Sequence, residues 1–433
     1  MSPEPEVDRL PAIADRLRAA AARAGTPVFV TDVAALDAAA AELAAAFPDP
    51  ILRQYSLKAN DVAAVVAALR GMGLGANVVS RGEWAVARRA GVPNDRLTFE
   101  GIGKTDRDLR AAVVAAADGD PPAWLAIESP EEADAVVRLA RRAGLGTRGR
   151  PALDVLLRLN PEVVPETSAD LAVGAGTAKF GMTETELTST VERALADASG
   201  AVAARGIHLH VGSQLGAVDA WRDAVRRGLA LLALLRGSLD AFDTLDLGGG
   251  FPVLPLGQPG PRPARFAREL RPLLDAIPRD RRPRTLAVEP GRFLVARAGW
   301  LVARVLHVRE RGGRQVILDA GMTELIRPSL YGAWHGIEAL TSLGRPVRVG
   351  EPGAAGLERA MVEGPVCEST DRLGEQWLPP LRRGDLVAIR DAGAYAASLG
   401  STYNGRPRAP QVLLDRDGSL RLIRRRGRVA DLG

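Results

Sequence analysis

Gln54-Tyr55-Ser56-Leu57-Lys58-Ala59-Asn60 follows the short apolar pair Ile51-Leu52. The run reads as a strand that turns into a helix, with a lysine on the turn. Lysine is scarce in this chain: of 57 basic residues only Lys58, Lys104 and Lys179 are lysines, the rest arginines. A deprotonated lysine amine condenses with an aldehyde, whereas a guanidinium stays protonated and cannot. A strand-end lysine with its head in water is the ordinary alternative, so the surrounding pattern has to decide.

Outward from residue 51 a rhythm sets in. Strand-like runs fall at 51–57, 75–79, 97–99, 124–127, 155–159, 207–211, 244–247 and 285–288. Helical spacing fills most gaps, over Asp61–Arg70, Glu83–Ala90, Asp106–Ala117, Pro130–Ala143, Glu184–Ala198, Ala220–Leu235 and Ala264–Leu274. Strands alternating with helices eight times predict an α/β fold, a (β/α)8 TIM barrel. Before it, residues 7–24 read as an amphipathic helix and 27–31 as a strand, with Asp32 capping the next helix. After residue 298 the spacing changes to a hairpin, Leu301–Arg309 with Gln315–Leu318, and short strands at 345–349, 358–362, 385–390, 411–415 and 420–424. The expected division is 1–45 as an N-terminal segment of the β-domain, 46–298 as the barrel and 299–433 as a C-terminal all-β domain. Residues 161–181 and 252–263 read as long loops.

Composition narrows the function. A chain of 433 residues, 46% hydrophobic and 25% charged, can bury a large core. Its net charge of +5 is small for this length and aromatics make up 4%, which argues against a nucleic-acid surface of basic and stacking groups. The basic tail from Arg421 to Arg428 reads as a solvated edge strand. One cysteine excludes an intramolecular disulfide and suits a reducing compartment. No apolar run reaches 18 residues and the N-terminus has no h-region, so no membrane contact is expected and a cytoplasmic location is.

The unusual residues fall at the carboxyl ends of the predicted barrel strands, where such barrels place their sites. Lys58 follows the first, Asn77 lies in the second, and Arg158 is near the end of the fifth. His208, His210 and Ser213 end the sixth, Gly248-Gly249-Gly250 follow the seventh, and Glu289-Pro290-Gly291-Arg292 the eighth. Three glycines let backbone N–H groups approach a phosphate, and Arg292 adds charge. Residues i and i+2 of a strand share a face, so both histidines can look into the mouth. No carboxylate or cysteine stands near them at ligand spacing, so no metal is expected. An amine, a phosphate cradle, an imidazole and a carboxylate together suit pyridoxal 5'-phosphate, whose ring stores electrons when its nitrogen is protonated.

On these residues the chain resembles the fold-type III pyridoxal-phosphate decarboxylases, the group of diaminopimelate, ornithine and arginine decarboxylases. Tyr55–Asn60 resembles the cofactor-lysine motif, His208–Gln214 the stacking-histidine motif and Glu289–Arg292 the ring-nitrogen motif. Gly364–Asp371 resembles the catalytic cysteine segment, and Asp391–Tyr395 the segment that sends a tyrosine to the phosphate. The resemblance implies that Lys58 holds the cofactor aldehyde, His210 stacks on the ring, and Ser213, Gly249 and Gly250 hold phosphate. Glu289 meets the ring nitrogen, with Arg158 and Gly291 also at the cofactor. Arg292 and Tyr395 touch phosphate or substrate, and Cys367 delivers the proton that replaces carbon dioxide. Because Cys367 lies in the β-domain, the resemblance further implies a homodimer with shared sites.

For substrate, Arg327, Tyr331 and Glu368 resemble the diaminopimelate enzymes, implying conversion of meso-diaminopimelate to L-lysine. A decarboxylase of another amino acid is the alternative, since Asn77 stands where aspartate is usual and 161–181 lacks the usual histidine. A racemase would want a tyrosine base opposite the lysine. A small carrier protein would lack the β-domain, and a non-catalytic regulatory homologue would be expected to lose the lysine or the cysteine.

Overall fold

The computed structural model describes residues 8–147, 149–168, 171–174, 178–195, 200–239, 241–348 and 356–432. They fall into two compact units. Ala40–Pro252 with Gly260–Gly291 form a barrel unit, and the described remainder forms a β-unit.

The chain opens with a helix, Leu10–Ala24, and strand β1, Val28–Asp32, both of the β-unit. Strands β2 (Leu52–Ser56), β3 (Gly75–Val78), β4 (Leu97–Phe99), β5 (Trp124–Ile127), β6 (Leu153–Leu159), β7 (Val202–Leu209), β8 (Thr244–Asp246) and β9 (Thr285–Val288) close into a barrel. Every pairing is parallel, from β2 on β3 round to β2 on β9. β3, β4, β5 and β8 are buried along their whole length, as parallel strands under a coat of helices must be. Small polar residues start several of those helices. Ser80 Oγ accepts the Glu83 N–H at 3.2 Å and Ser129 Oγ that of Glu132 at 3.2 Å, while Thr105 and Asp108 form a reciprocal capping box.

Gly206 shows how tightly the barrel closes. It pairs with Thr244 across β7 and β8, and a Cβ there would lie 1.8 Å from the Thr244 carbonyl oxygen. Gly206→Ala is expected to cost about 1–3 kcal/mol by overpacking. A thermal scan should show a lower midpoint, with Gly237→Ala as control because a Cβ there meets nothing within 4 Å.

The β-unit continues with β10 (Gly299–Glu310), β11 (Arg314–Leu318), β12 (Ile337–Ala339), β13 (Thr341–Ser342), β14 (Arg345–Pro346), β15 (Glu358–Glu363), β16 (Arg372–Leu378), β17 (Leu386–Ile389), β18 (Gln411–Leu414) and β19 (Leu420–Arg424). One sheet runs β16-β15-β11-β10-β1-β18-β19, with β17 pairing both β10 and β12. β10 splits its side chains by the two-residue period. Leu301, Ala303 and Val305 join Phe29 and Val316 on one face, and Trp300 and Val302 join Leu10, Leu17, Val28 and Val30 on the other.

The barrel, the all-β unit and the N-terminal strand within its sheet are as the sequence predicts. So are the cap at Asp32, whose Oδ1 accepts the Ala34 N–H at 3.0 Å, and the edge position of β19. Three local readings are corrected. Of the predicted strand 345–349, whose last residue lies outside the described residues, Arg345–Pro346 pair with β13 in a separate ribbon, since Pro346 has no N–H for a central ladder. β16 and β12 go unpredicted: β16 carries Arg372, Glu375 and Gln376 among its residues, and β12 has only three. The helix from Glu184 ends at Thr190 and loosens into a π-turn, Val191–Leu195; residues 196–199 of that reading lie outside the described residues, as do 169, 170 and 175–177 of the long loop. Among the described residues no helix is long and apolar enough to cross a membrane.

Candidate active site

β2 ends at Ser56, and one turn of 3-10 helix, Leu57–Ala59, carries Lys58. The turn is fixed from within: Tyr55 OH donates to the Asn60 carbonyl at 2.9 Å, and Asn60 Oδ1 accepts the Val62 N–H at 3.2 Å. It is also fixed from the last barrel strand, because Ser56 N–H donates to the Pro290 carbonyl at 3.1 Å. A Cβ on Gly291 would stand 3.2 Å from Ser56 Cβ and 3.3 Å from Ala59 Cβ. Glycine at 291 therefore lets the loop after β9 lie against the lysine turn. Lys58 keeps a third of its side chain exposed, with Nζ 3.1 Å from Glu100 Oε1.

Beneath that amine lies a buried polar cluster drawn from several strand ends. Glu100, the residue after β4, sends Oε2 to His208 Nε2 at 3.1 Å, and Glu289 Oε2 approaches the same nitrogen at 3.1 Å. Asn77 Nδ2 donates to the other Glu289 oxygen. Arg158 Nη1 pairs with Glu128 Oε1 at 2.8 Å, and that oxygen also accepts the Gly101 N–H at 3.0 Å. Burial alone would raise Glu100, but Lys58, His208 and Arg158 together hold it well below the usual carboxylate range. Burial would lower His208, yet the Glu289 and Glu100 carboxylates push it up to about 10. Asp246 is pushed well above its usual range by burial and then by Glu289, and its buried Oδ2 has no hydrogen-bond partner among the described residues.

Sequence spacing shows no carboxylate near the histidines, and here the structure corrects the reading. Two acids reach His208 from other strands, with ligand atoms of the three groups within 4.8 Å of one another. Lys58 and Arg158 bring two cations to the same cluster and offset the charge of its acids.

The His208 shift has a sign that can be measured. With a folded value near 10 against an ordinary 6.5 for the unfolded chain, its stabilisation is fully present below about pH 6.5 and lost as pH rises toward 10. Glu100, held below its ordinary 4.5, acts oppositely and loses its contribution only in acid. The thermal midpoint should therefore fall from pH 6.5 to 10, and His208→Gln should flatten that limb while lowering the plateau.

His210, just past β7, is a different imidazole. Burial first, then the Lys58 and Arg158 cations, press it well below its usual value, so the ring is neutral. Its Nδ1 accepts the Gly249 N–H at 3.2 Å, which leaves the proton on Nε2. The glycine turn is closely packed. A Cβ on Gly249 would stand 2.5 Å from the Glu289 carbonyl oxygen, and one on Gly250 2.7 Å from Leu215 Cδ1. Gly248 and Gly250 have φ of 66° and 104°, a region that favours glycine. This cradle, the neutral ring and the half-open amine fit an aldehyde-bearing aromatic phosphate.

The β-unit holds its own groups. Arg292 opens a short helix, Arg292–Val295, and its guanidinium carbon lies 4.6 Å from the centre of the Tyr395 ring. Arg327 begins the helix Arg327–Tyr331 and is 8% exposed. Its Nη1 is 3.3 Å from His335 Nε2, and His335 Nδ1 is 2.9 Å from the Arg390 carbonyl. His335 thus donates to the carbonyl and accepts from Arg327. It is neutral, lowered to about 4 by burial and the Arg327 and Arg292 cations. Arg327 Nε has no hydrogen-bond partner among the described residues, and no carboxylate pairs with this guanidinium among them. Burial, then the Arg292 charge, lower Arg327 to about 10. Ser329 Oγ donates to the Thr370 carbonyl at 2.7 Å, stitching this helix to the cysteine segment. Asp371 shapes that segment by accepting the Met322 N–H at 2.6 Å and the Val366 N–H at 2.7 Å. Cys367 is exposed, with Asn404 Nδ2 3.1 Å from its sulfur, and Glu368 accepts from Tyr403 OH.

The barrel unit thus gathers Lys58, Arg158, His210, Ser213, Gly249, Gly250, Glu289 and Gly291, while the β-unit holds Arg292, Arg327, Tyr331, Cys367, Glu368 and Tyr395. Within the barrel unit Arg158 is engaged by Glu128, and the Gly249 N–H by His210 Nδ1. Sequence reasoning missed Glu100, Glu128 and His335. The first two also follow barrel strands, so the carboxyl-end rule that found Lys58 could have found them.

A model of the pyridoxal-dependent decarboxylase pyridoxal-binding domain matches residues 33–296. The diaminopimelate decarboxylase of Aquifex aeolicus is 32% identical over 93% of this chain and 89% of its own. That of Zymomonas mobilis is 35% identical over 87% of this chain and 84% of its own. Among solved structures, diaminopimelate decarboxylase from M. jannaschii superposes with a TM-score of 0.84 at 28% identity, covering 96% of this chain and 93% of that one. The Helicobacter pylori enzyme complexed with L-lysine gives 0.82 at 29% identity, covering 94% and 95%.

Proposed function

Because the chain belongs to the pyridoxal-dependent decarboxylase family, we propose that it removes one carboxylate of meso-diaminopimelate and releases L-lysine and carbon dioxide. It is a carboxy-lyase that uses pyridoxal 5'-phosphate. When bound, that cofactor supplies the electron sink for the pair left at Cα as carbon dioxide departs.

The chain's own groups do the rest. Lys58 would hold the cofactor through its aldehyde, the one side chain of the barrel mouth whose amine can do so. Glu289, fixed by Asn77 and His208, would meet the ring nitrogen. His210 offers an uncharged ring face oriented by Gly249. Ser213, Gly250, Arg292 and Tyr395 are assigned to phosphate. Cys367 gives its thiol proton to Cα in place of the lost carboxylate. Its thiol must stay reduced to do so, which suits the cytoplasm. Because Cys367 belongs to the β-unit, we assign the working form to a homodimer in which each chain lends its cysteine segment to the other.

The observation that carries the substrate assignment is Arg327. A buried guanidinium set against a neutral histidine, with no carboxylate paired to it among the described residues, is a site for an anion. Diaminopimelate brings a distal carboxylate; ornithine and lysine do not. Tyr331 and Glu368 are assigned to the same end group, Glu368 to its amine. The test is carbon dioxide release from meso-diaminopimelate, L-ornithine, L-lysine and L-arginine at equal concentration. Diaminopimelate should dominate, and a preference for the three monocarboxylates would overturn the assignment.

A further inference from the structure

We propose that Glu100 is the positioning residue of the reactive amine: it holds Lys58 at the barrel mouth as an ion pair and, through His208, ties that amine to Glu289. Glu100 is 2% exposed and follows a three-residue strand that is buried throughout. Its backbone is pinned, since its N–H donates to the Val78 carbonyl at 2.9 Å. Its two oxygens have divided duties. One lies 3.1 Å from Lys58 Nζ and the other 3.1 Å from His208 Nε2. That nitrogen is 3.1 Å from Glu289 Oε2. Rotating the carboxylate to favour either partner loses the other, so the lysine is held at a fixed point relative to Glu289.

The surroundings make Glu100 the dominant countercharge. Lys58 also faces Glu83 from the helix after β3, together with the Glu100, His208, His210 and Arg158 groups of the barrel mouth, and Asp61 lies in its own loop. His210 is neutral, and Arg158 is paired with Glu128. Burial raises Glu83 to about 7, and its Oε2 accepts the Val79 N–H at 2.9 Å. Without Glu100, Lys58 would lose the carboxylate that faces it at 3.1 Å while the His208 cation stays close by. Its amine should then shed its proton at lower pH.

The experiment measures that proton directly, and does not depend on which amino acid is decarboxylated. Full-length protein dialysed free of cofactor is labelled with fluorodinitrobenzene across a pH series, and the Lys58 peptide is quantified by mass spectrometry. With three lysines in the chain, exposed Lys179 serves as internal reference. Glu100→Gln is expected to lower the Lys58 labelling midpoint by about 1–3 pH units, while Glu100→Asp, which keeps the charge, stays near wild type. His208→Gln removes a neighbouring cation and should move the midpoint upward. A role confined to packing predicts the wild-type midpoint in folded Glu100→Gln, and that result overturns the proposal. Should Glu100→Gln not fold, Glu100→Ser is read in its place: a lowered Lys58 midpoint supports the proposal and an unchanged one overturns it.

Discussion

Lys58→Ala is expected to abolish carbon dioxide release, with kcat/KM falling by at least about 10³-fold, as removal of a residue that forms a covalent link does. The variant should also lose the visible absorbance of the bound cofactor and, after borohydride, any label on the peptide spanning residues 54–60. Lys58→Arg is the more telling substitution. It keeps the positive charge that Glu100 faces at 3.1 Å, so fold and cluster should persist, yet a guanidinium cannot hold an aldehyde. Arg and Ala should therefore be equally inactive while Arg melts closer to wild type. If Lys58→Arg retained turnover, the amine would be an electrostatic fixture and its assigned chemistry would fall. The shared-site reading adds a second readout. Mixing inactive Lys58→Ala with inactive Cys367→Ala should restore activity, because some mixed dimers then contain one site with both groups intact.

What the sequence disclosed and what it hid follow from how each feature is encoded. Barrel strands and helices are local patterns, so the rhythm from residue 51 onward is visible without a structure, and Lys58 stands out because lysine is rare. The cluster below it is not local. Glu100 and Glu289 lie far apart in the chain and meet only because the strands close into a ring, with His208 between them. Neither the neutrality of His210 nor the charge on His208 can be read from a pair two residues apart, since burial and two acids from other strands decide which one holds a proton. The same limit explains Gly249, whose N–H orients an imidazole instead of facing outward. In the β-unit the apolar strands were legible and β16 was not. Its buried Gln376 and exposed Trp377 reverse the apolar-in, polar-out order, so it shows too little alternation to stand apart from a loop.

Arg327→Ala should cut kcat/KM for meso-diaminopimelate by roughly 30- to 5000-fold, the 2–5 kcal/mol lost when one partner of a buried charge pair is removed. The effect on ornithine or lysine should be far smaller. Those substrates bring no distal carboxylate, so they gain nothing from the guanidinium in the wild type and leave it buried without an acid. The substitution thus removes an attraction for one substrate and a penalty against the others, and the ratio of their kcat/KM values is the quantity to follow. Arg327→Lys should not rescue it. His335 accepts one guanidinium N–H at 3.3 Å and Nε is left over, a fork that an ammonium cannot reproduce. Packing makes a competing prediction: the side chain is 8% exposed, so its deletion could act through a cavity in the short helix it begins. A cavity would harm every substrate alike and lower the thermal midpoint, whereas loss of carboxylate recognition separates the substrates and can be offset by raising the diaminopimelate concentration. Equal loss across substrates would remove Arg327 from the recognition of the distal end, and with it the reason to prefer diaminopimelate over a simple diamine acid.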